Sequence, residues 1–310
     1  MQSSVYLWAP HAPDAQLLFE PPEDSDVSIT SIKWSTGSGP LQLAVGTQSG
    51  GILTIDSESN SIVHTLQVHS GRVDAICWNN ALFASASQDK RVILSDTRQR
   101  LATVSVIKGH SEEVCGVAWS PDGMYLSTGG LDKQLNVWDV RQNERPVFSS
   151  SKHTSAVKAM DWSRTERNVL ASGGGREDGK IRLWDIQRGR EVSCIDTQSQ
   201  VCTLLFSPTE FELLSTHGYP KPASKVWSVS MTGESRELGV LGTHTGRVLH
   251  STLGADGKMV MTGGEDERIC LWNVFRTSEE VHAEEQTRGE EEGTDFEKIG
   301  LWKSKYIAYR

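Results

Sequence analysis

No stretch of this chain approaches the roughly 20 consecutive apolar residues that cross a bilayer. Met1 to Phe19 likewise has no basic start followed by an apolar run, so neither a membrane span nor a cleaved leader is expected. Cysteine is scarce: Cys77, Cys115, Cys194, Cys202 and Cys270 are scattered, with no CxxC and no other metal-ligand spacing. That excludes a disulfide framework and a zinc site, and an odd, dispersed set fits a reducing compartment, the nucleus and cytoplasm. Basic charge is in deficit, 31 Lys and Arg against 40 Asp and Glu, for a net −9. A phosphate-binding surface needs the opposite balance, so nucleic acid and anionic membrane are not expected partners. Motifs of catalysis are missing too. There is no Gly-x-Ser-x-Gly elbow, and Gly173-Gly174-Gly175 lies between two strand patterns without the GK[ST] ending of a phosphate loop. No enzyme activity, metal or cofactor is expected.

What the chain has is repetition. An apolar strand ending in an aromatic, a turn, a small-residue strand, an acidic turn and a strand closing on Trp or an apolar substitute recur six times. In the fullest copy these are Val114 to Trp119, the turn Ser120-Pro121-Asp122-Gly123, Leu126 to Gly130, Asp132, and Leu135 to Asp139. The residue closing the first strand falls at Trp34, Trp78, Trp119, Trp162, Phe206 and Leu253, in steps of 44, 41, 43, 44 and 47 residues. A period of about 40–45 residues with a Trp-Asp ending marks the blade of a WD-repeat β-propeller. A blade cannot bury both faces alone, so blades must stack. The 37% hydrophobic content, with 10 Trp, supplies that core.

The first copy is broken. Val5-Tyr6-Leu7-Trp8 reads as the third strand of a blade whose first two strands are absent, and an outer strand is expected around Leu17-Leu18-Phe19. The expected fold is therefore all-β, a seven-bladed WD-repeat propeller with an incomplete first blade. Its parts are a remnant and connection over 1–28 and six fuller repeats over 29–275. An acidic disordered linker over 276–298 carries Glu279-Glu280, Glu284-Glu285 and Glu290-Glu291-Glu292, too polar to offset chain entropy. The tail over 299–310 regains apolar character and ends in Tyr309-Arg310. It has two readings, a segment packed on the propeller side and a short docking peptide.

Several repeats hold a set that mimics a catalytic constellation. In the third full copy it is His110, Ser127, Asp132 and Trp138, and in the last it is His244, Thr262, Asp266 and Trp272. A buried Asp needs donors, and a His ring, a hydroxyl and an indole N–H supply them within one blade. His69 with Asp89 and His153 with Asp178 fit the same role, with Leu94 in place of the Trp in the second copy. A catalytic triad would occur once and in a cleft, so a recurring set is structural.

The letters between these anchors carry a resemblance. Gly109-His110-Ser111-Glu112-Glu113-Val114, Leu170-Ala171-Ser172-Gly173-Gly174-Gly175, Ser199-Gln200-Val201-Cys202, Ser215-Thr216-His217-Gly218-Tyr219 and Gly246-Arg247-Val248-Leu249 occur in this order. Together they resemble the Fizzy and Fizzy-related activators of the anaphase-promoting complex, from about Val5 to Phe275. The divergent positions lean toward a meiosis-specific fungal branch. The resemblance implies a non-catalytic adaptor that holds degradation motifs, destruction boxes (Arg-x-x-Leu) and Lys-Glu-Asn boxes, for ubiquitin transfer. It assigns Gln200 and Arg247 to the Lys-Glu-Asn peptide and Glu267 to the destruction-box Arg. An Arg pairs with the peptide Glu, and Gln both donates to and accepts from the peptide Asn. Each also has a plain reading as a solvated loop group, which the family context outweighs. The implied partners are anaphase-promoting complex subunits, docked through Tyr309 and Arg310, and degron-bearing substrates. The chain is expected to act as a monomer within that assembly.

Three departures stand against this. Leu131 occupies a position where the family has Asn, which weakens Lys-Glu-Asn binding, and Arg176 one where it commonly has Thr. The family's ligase-binding N-terminal region, and the groups that complete the destruction-box groove, do not precede Met1. A generic WD-repeat scaffold and a degenerate paralogue that no longer activates the ligase remain the alternatives.

Overall fold

The computed structural model describes residues 4–8, 14–21, 27–37, 41–98, 103–142, 144–232, 234–242, 244–281 and 307–309. The chain forms two compact units, Met1–Lys152 and His153–Arg310. The first begins with a two-stranded sheet, β1 (Val5–Leu7) with β2 (Gln16–Phe19). Three four-stranded antiparallel blades follow. They are β3 (Ile29–Trp34), β4 (Gln42–Thr47), β5 (Gly51–Asp56) and β6 (Ser61–Gln67); then β7 (Val73–Asn79), β8 (Leu82–Ser87), β9 (Arg91–Asp96) and β10 (Thr103–Lys108); then β11 (Val114–Trp119), β12 (Tyr125–Gly130), β13 (Leu135–Asp139) and β14 (Phe148–Ser150).

The second unit repeats the plan with β15 (Val157–Trp162), β16 (Val169–Gly174), β17 (Lys180–Asp185) and β18 (Arg190–Asp196). Next come β19 (Val201–Phe206), β20 (Glu212–His217), β21 (Ala223–Ser228) and β22 (Arg236–Leu241). The last blade is β23 (Val248–Leu253), β24 (Met259–Gly264), β25 (Ile269–Asn273) and β26 (Ile307–Tyr309). In every blade the four strands lie in sequence order.

Burial explains the composition of each strand. Second strands such as β12 and β16 are buried along nearly their whole length, which is why Ala, Ser, Thr and Gly follow a pair of larger residues in them. Outer strands such as β6 and β18 alternate toward water. In the first unit the indole N–H of Trp78 donates to the Lys33 carbonyl at 2.9 Å, and that of Trp119 to the Cys77 carbonyl at 3.1 Å. In these two cases the aromatic that ends a first strand joins its blade to the one before it. In the second unit the Asp161 carboxylate accepts from the Phe206 backbone N–H at 2.7 Å.

The blade count corrects the expectation of seven. The described residues hold six four-stranded blades, and the N-terminal remnant is a hairpin of two short strands. It cannot form a sheet with two buried faces. Instead Val5 and Leu18 pack against Leu43, Val45 and Ile55 of the first blade.

The stretch expected to be a linker also begins in ordered form. The Thr209 hydroxyl donates to the Arg276 carbonyl at 2.7 Å, and the Arg276 side chain pairs with Glu210. Residues 278–281 make one helical turn, capped by Thr277 N–H to Glu280 at 2.9 Å and Glu280 N–H to the Thr277 hydroxyl at 3.3 Å. The rest of that stretch, with the other acidic runs, lies outside the described residues.

In all six blades the register slips at the second residue of the first strand: Thr30, Asp74, Cys115, Lys158, Cys202 and Leu249. Such a bulge bends the strand and re-aims its start. The residue just before it then meets the turn that follows the second strand.

Candidate functional site

In the third, fourth and sixth blades the repeated polar set is a complete chain of hydrogen bonds. In the third blade Trp138 donates to the Thr128 hydroxyl at 2.9 Å, Thr128 lies 2.8 Å from His110 Nε2, and His110 Nδ1 lies 3.0 Å from Asp132. The fourth blade has Trp184, Ser172, His153 and Asp178, at 2.7 Å for each link. The sixth has Trp272, Thr262, His244 and Asp266, at 2.8, 2.8 and 3.0 Å. Burial works to raise the Asp178 carboxyl, but donors from His153 and Thr154 hold it at about 2. A neutral ring donating through Nδ1 and accepting through Nε2 satisfies every member. The set ties the turn to the loop before the blade and leaves no free nucleophile.

Two positions differ from the sequence reading. The hydroxyl in the third blade is Thr128, not Ser127. Adjacent residues of a strand face opposite ways, and Ser127 donates instead to the Ala118 carbonyl at 3.0 Å. In the second blade the Trp position is filled by Ser95, not Leu94. Ser95 pairs with Phe83 as Trp138 pairs with Leu126. There His69 still joins Ser85 at 2.8 Å and Asp89 at 3.0 Å.

The fifth blade rebuilds the set from another element. Thr197 stands where the second, third, fourth and sixth blades carry His, and the ring comes from His217 at the end of β20. Trp227 donates to Ser215 at 2.7 Å, and Ser215 lies 2.7 Å from His217 Nε2. The ring is fully buried, its Nδ1 finds no partner among the described residues, and burial pushes its pKa down to about 4.

The bulges create six equivalent surface pairs. The backbone N–H of a turn residue donates to the carbonyl of the residue before the blade: Gln48 to Ser28, Gln88 to Arg72, Leu131 to Glu113, Gly175 to Ala156, Gly218 to Gln200 and Glu265 to Arg247. Two of the sequence candidates, Gln200 and Arg247, are thus members of such pairs. Gln200 lies against Gly218, where a Cβ would sit 2.6 Å from the Gln200 side-chain oxygen, so glycine makes room for the amide. Gln200 N–H also donates to the Tyr219 carbonyl at 3.2 Å. The Arg247 guanidinium lies 5.7 Å from the centre of the Tyr219 ring. Tyr219, 43% exposed, therefore links the two candidates into one patch.

Arg247 is already engaged: its Nε lies 2.9 Å and its Nη2 3.3 Å from the two oxygens of Glu265. Glu265 holds the Arg247 pKa above its usual value, and Arg247 holds the Glu265 carboxyl below its own. Glu267 is exposed on the same turn, in the left-handed region at φ 58°, where Lys90 and Lys133 sit in other blades. The sequence reading missed Tyr219 as a bridge, though it stands in a motif that reading singled out, and Glu265 as a partner. Tyr309 has its backbone in β26, paired opposite Ile269, and Arg310 lies outside the described residues. Among the described residues no group of three or more His, Cys, Asp and Glu is placed to hold a metal.

The CDC20/Fizzy WD40 domain family matches residues 1–272. Anaphase-promoting complex subunit cdc20 of Dictyostelium discoideum is 38% identical over 274 residues, 88% of this chain and 54% of that protein. Meiotic fizzy-related protein 1 of Schizosaccharomyces pombe is 37% identical over 275 residues, 89% of this chain and 63% of its own. A chain in the crystal structure of the mitotic checkpoint complex superimposes with a TM-score of 0.84 at 34% identity, covering 89% of this chain and 82% of that one. The chain spans about half the length of the curated relatives it matches. With its six bulged blades and their Trp-ended strands, this chain belongs to the CDC20/Fizzy WD40 family.

Proposed function

We propose that this chain is the substrate-binding part of an activator of the anaphase-promoting complex ubiquitin ligase, acting in mitotic or meiotic division in the nucleus and cytoplasm. It holds degradation motifs and performs no bond chemistry of its own. The observation that carries this is the exposed Arg247 guanidinium over Tyr219 beside Gln200, a patch suited to a short peptide bearing a carboxylate and an amide. Glu267 is the proposed acid for the destruction-box Arg. Leu131, 41% exposed, offers no hydrogen bond of its own side chain where the family has Asn. Lys-Glu-Asn binding should therefore be the weaker of the two.

The test is binding of a destruction-box peptide and a Lys-Glu-Asn peptide to the whole chain, followed by fluorescence anisotropy. The destruction-box peptide should bind more tightly and lose about tenfold on Glu267→Ala, the size of a charge-assisted pair. Equal affinity for wild type and Glu267→Ala removes Glu267 from the site. Absence of binding by either peptide favours a scaffold or a paralogue without activating function.

A further inference from the structure

The pair Arg247–Glu265 differs from the one other ion pair, among the described residues, whose Arg stands just before a bulge. Arg72 holds the equivalent place in the second blade, just before the bulge. It is locked between Asp74 at 2.5 Å and Glu113 at 2.7 Å, whose side chains are only 12% and 13% exposed. Breaking that cluster would strand buried carboxylates. Arg247 and Glu265 are 37% and 40% exposed, so water can solvate either one when they part. Among the six turn residues at this position (Gln48, Gln88, Leu131, Gly175, Gly218 and Glu265), Glu265 alone is charged. Its carboxylate takes the two-point contact on Arg247 that an incoming carboxylate would seek.

We infer that Glu265 is an internal substitute for a peptide carboxylate: it occupies Arg247 in the free protein and must swing away before an acidic peptide residue can bind there. This rests on the proposed contact between Arg247 and the peptide. The exchange has a second consequence. A displaced Glu265 beside the site favours a ligand that carries a basic residue next to its acid, because the freed carboxylate then gains a new partner. The site is tuned against isolated acids and toward paired basic and acidic residues.

Anisotropy titrations of wild type, Glu265→Gln, Arg247→Gln and the double variant test this, with Lys-Glu-Asn and Ala-Glu-Asn peptides at fixed salt. Glu265→Gln should bind Ala-Glu-Asn about two- to fivefold more tightly, the range open to an exposed ion pair. The preference for Lys-Glu-Asn over Ala-Glu-Asn should shrink in the same variant. Both effects should vanish when Arg247→Gln is also present. If Arg247→Gln loses binding while Glu265→Gln binds no better than wild type, the internal substitute is overturned and the peptide contact stands. If Arg247→Gln binds both peptides as wild type does, the peptide contact itself fails, and the inference with it. No binding by wild type and Glu265→Gln overturns both.

Discussion

Two buried titratable side chains make opposite demands on pH. His217 has a pKa pushed down to about 4 by burial, from an ordinary 6.5, so its neutral form belongs to the folded state. Stability from this group is complete above about pH 6.5 and is lost as pH falls toward 4, by an amount on the order of 3 kcal/mol. Asp74 is raised to about 6 by burial and by the Glu113 carboxylate, against the pull of Arg72. Its folded form binds a proton that the unfolded chain has released, so its contribution falls as pH rises from about 4 to about 6. The two trends partly cancel in wild type. Urea midpoints at pH 7 and pH 5 should separate them: Asp74→Asn steepens the acid loss, and His217→Thr, the residue the first blade carries as Thr47, removes most of it. Glu267 is a different kind of residue, held at a left-handed φ of 58° that glycine adopts more easily. Glu267→Gly should keep stability within about 1 kcal/mol of wild type while abolishing its contribution to peptide affinity, measured by melting and anisotropy on the same sample. None of these shifts was legible in the sequence. His217 reads there as one letter of a motif, and only its burial at the end of a central strand makes it a weak base.

At the scale of the blade, glycine is what admits the polar set. A Cβ on Gly174 would fall 1.9 Å from an Asp178 oxygen, and one on Gly264 would fall 2.5 Å from Asp266 and 2.6 Å from His244. Gly239 has nothing within 4 Å. Gly174→Ala should therefore cost about 3 kcal/mol or more in chemical denaturation, and Gly239→Ala less than about 0.5 kcal/mol. Asp178→Ala should cost about 2–4 kcal/mol, because the buried His153 ring is left with an unpaired donor. The recurrence of His, Asp and Trp was visible as spacing, and so was its structural meaning. Which hydroxyl completes the chain was not. Ser127 and Thr128 are chemically equivalent letters, and only the pairing of Leu126 with Trp138 shows that Thr128 shares the face of the indole. The same register puts Ser95, not Leu94, in the place of the missing Trp.

For the whole molecule, the proposed role is tested by capture of the anaphase-promoting complex from dividing cells with the full chain and with a chain lacking residues 299–310. Capture should depend on that tail. Equal capture by both chains removes Tyr309 and Arg310 from docking, and no capture by either sinks the activator reading. The tail also meets a competing demand, since residues 307–309 supply the fourth strand of the last blade against Ile269 to Leu271. The sequence by itself determined the repeat, the strand order within each blade and the family, because a period of 41 to 47 residues and its Trp anchors are local patterns along the chain. The tertiary structure decided the number of complete blades, the fate of the Val5 to Phe19 hairpin and the pairing of Arg247 with Glu265 over Tyr219. The last depends on which residues, 18 to 28 apart in the chain, a bulge and a turn bring to one surface, and the first two on packing between segments still further apart; spacing along a strand carries no record of either.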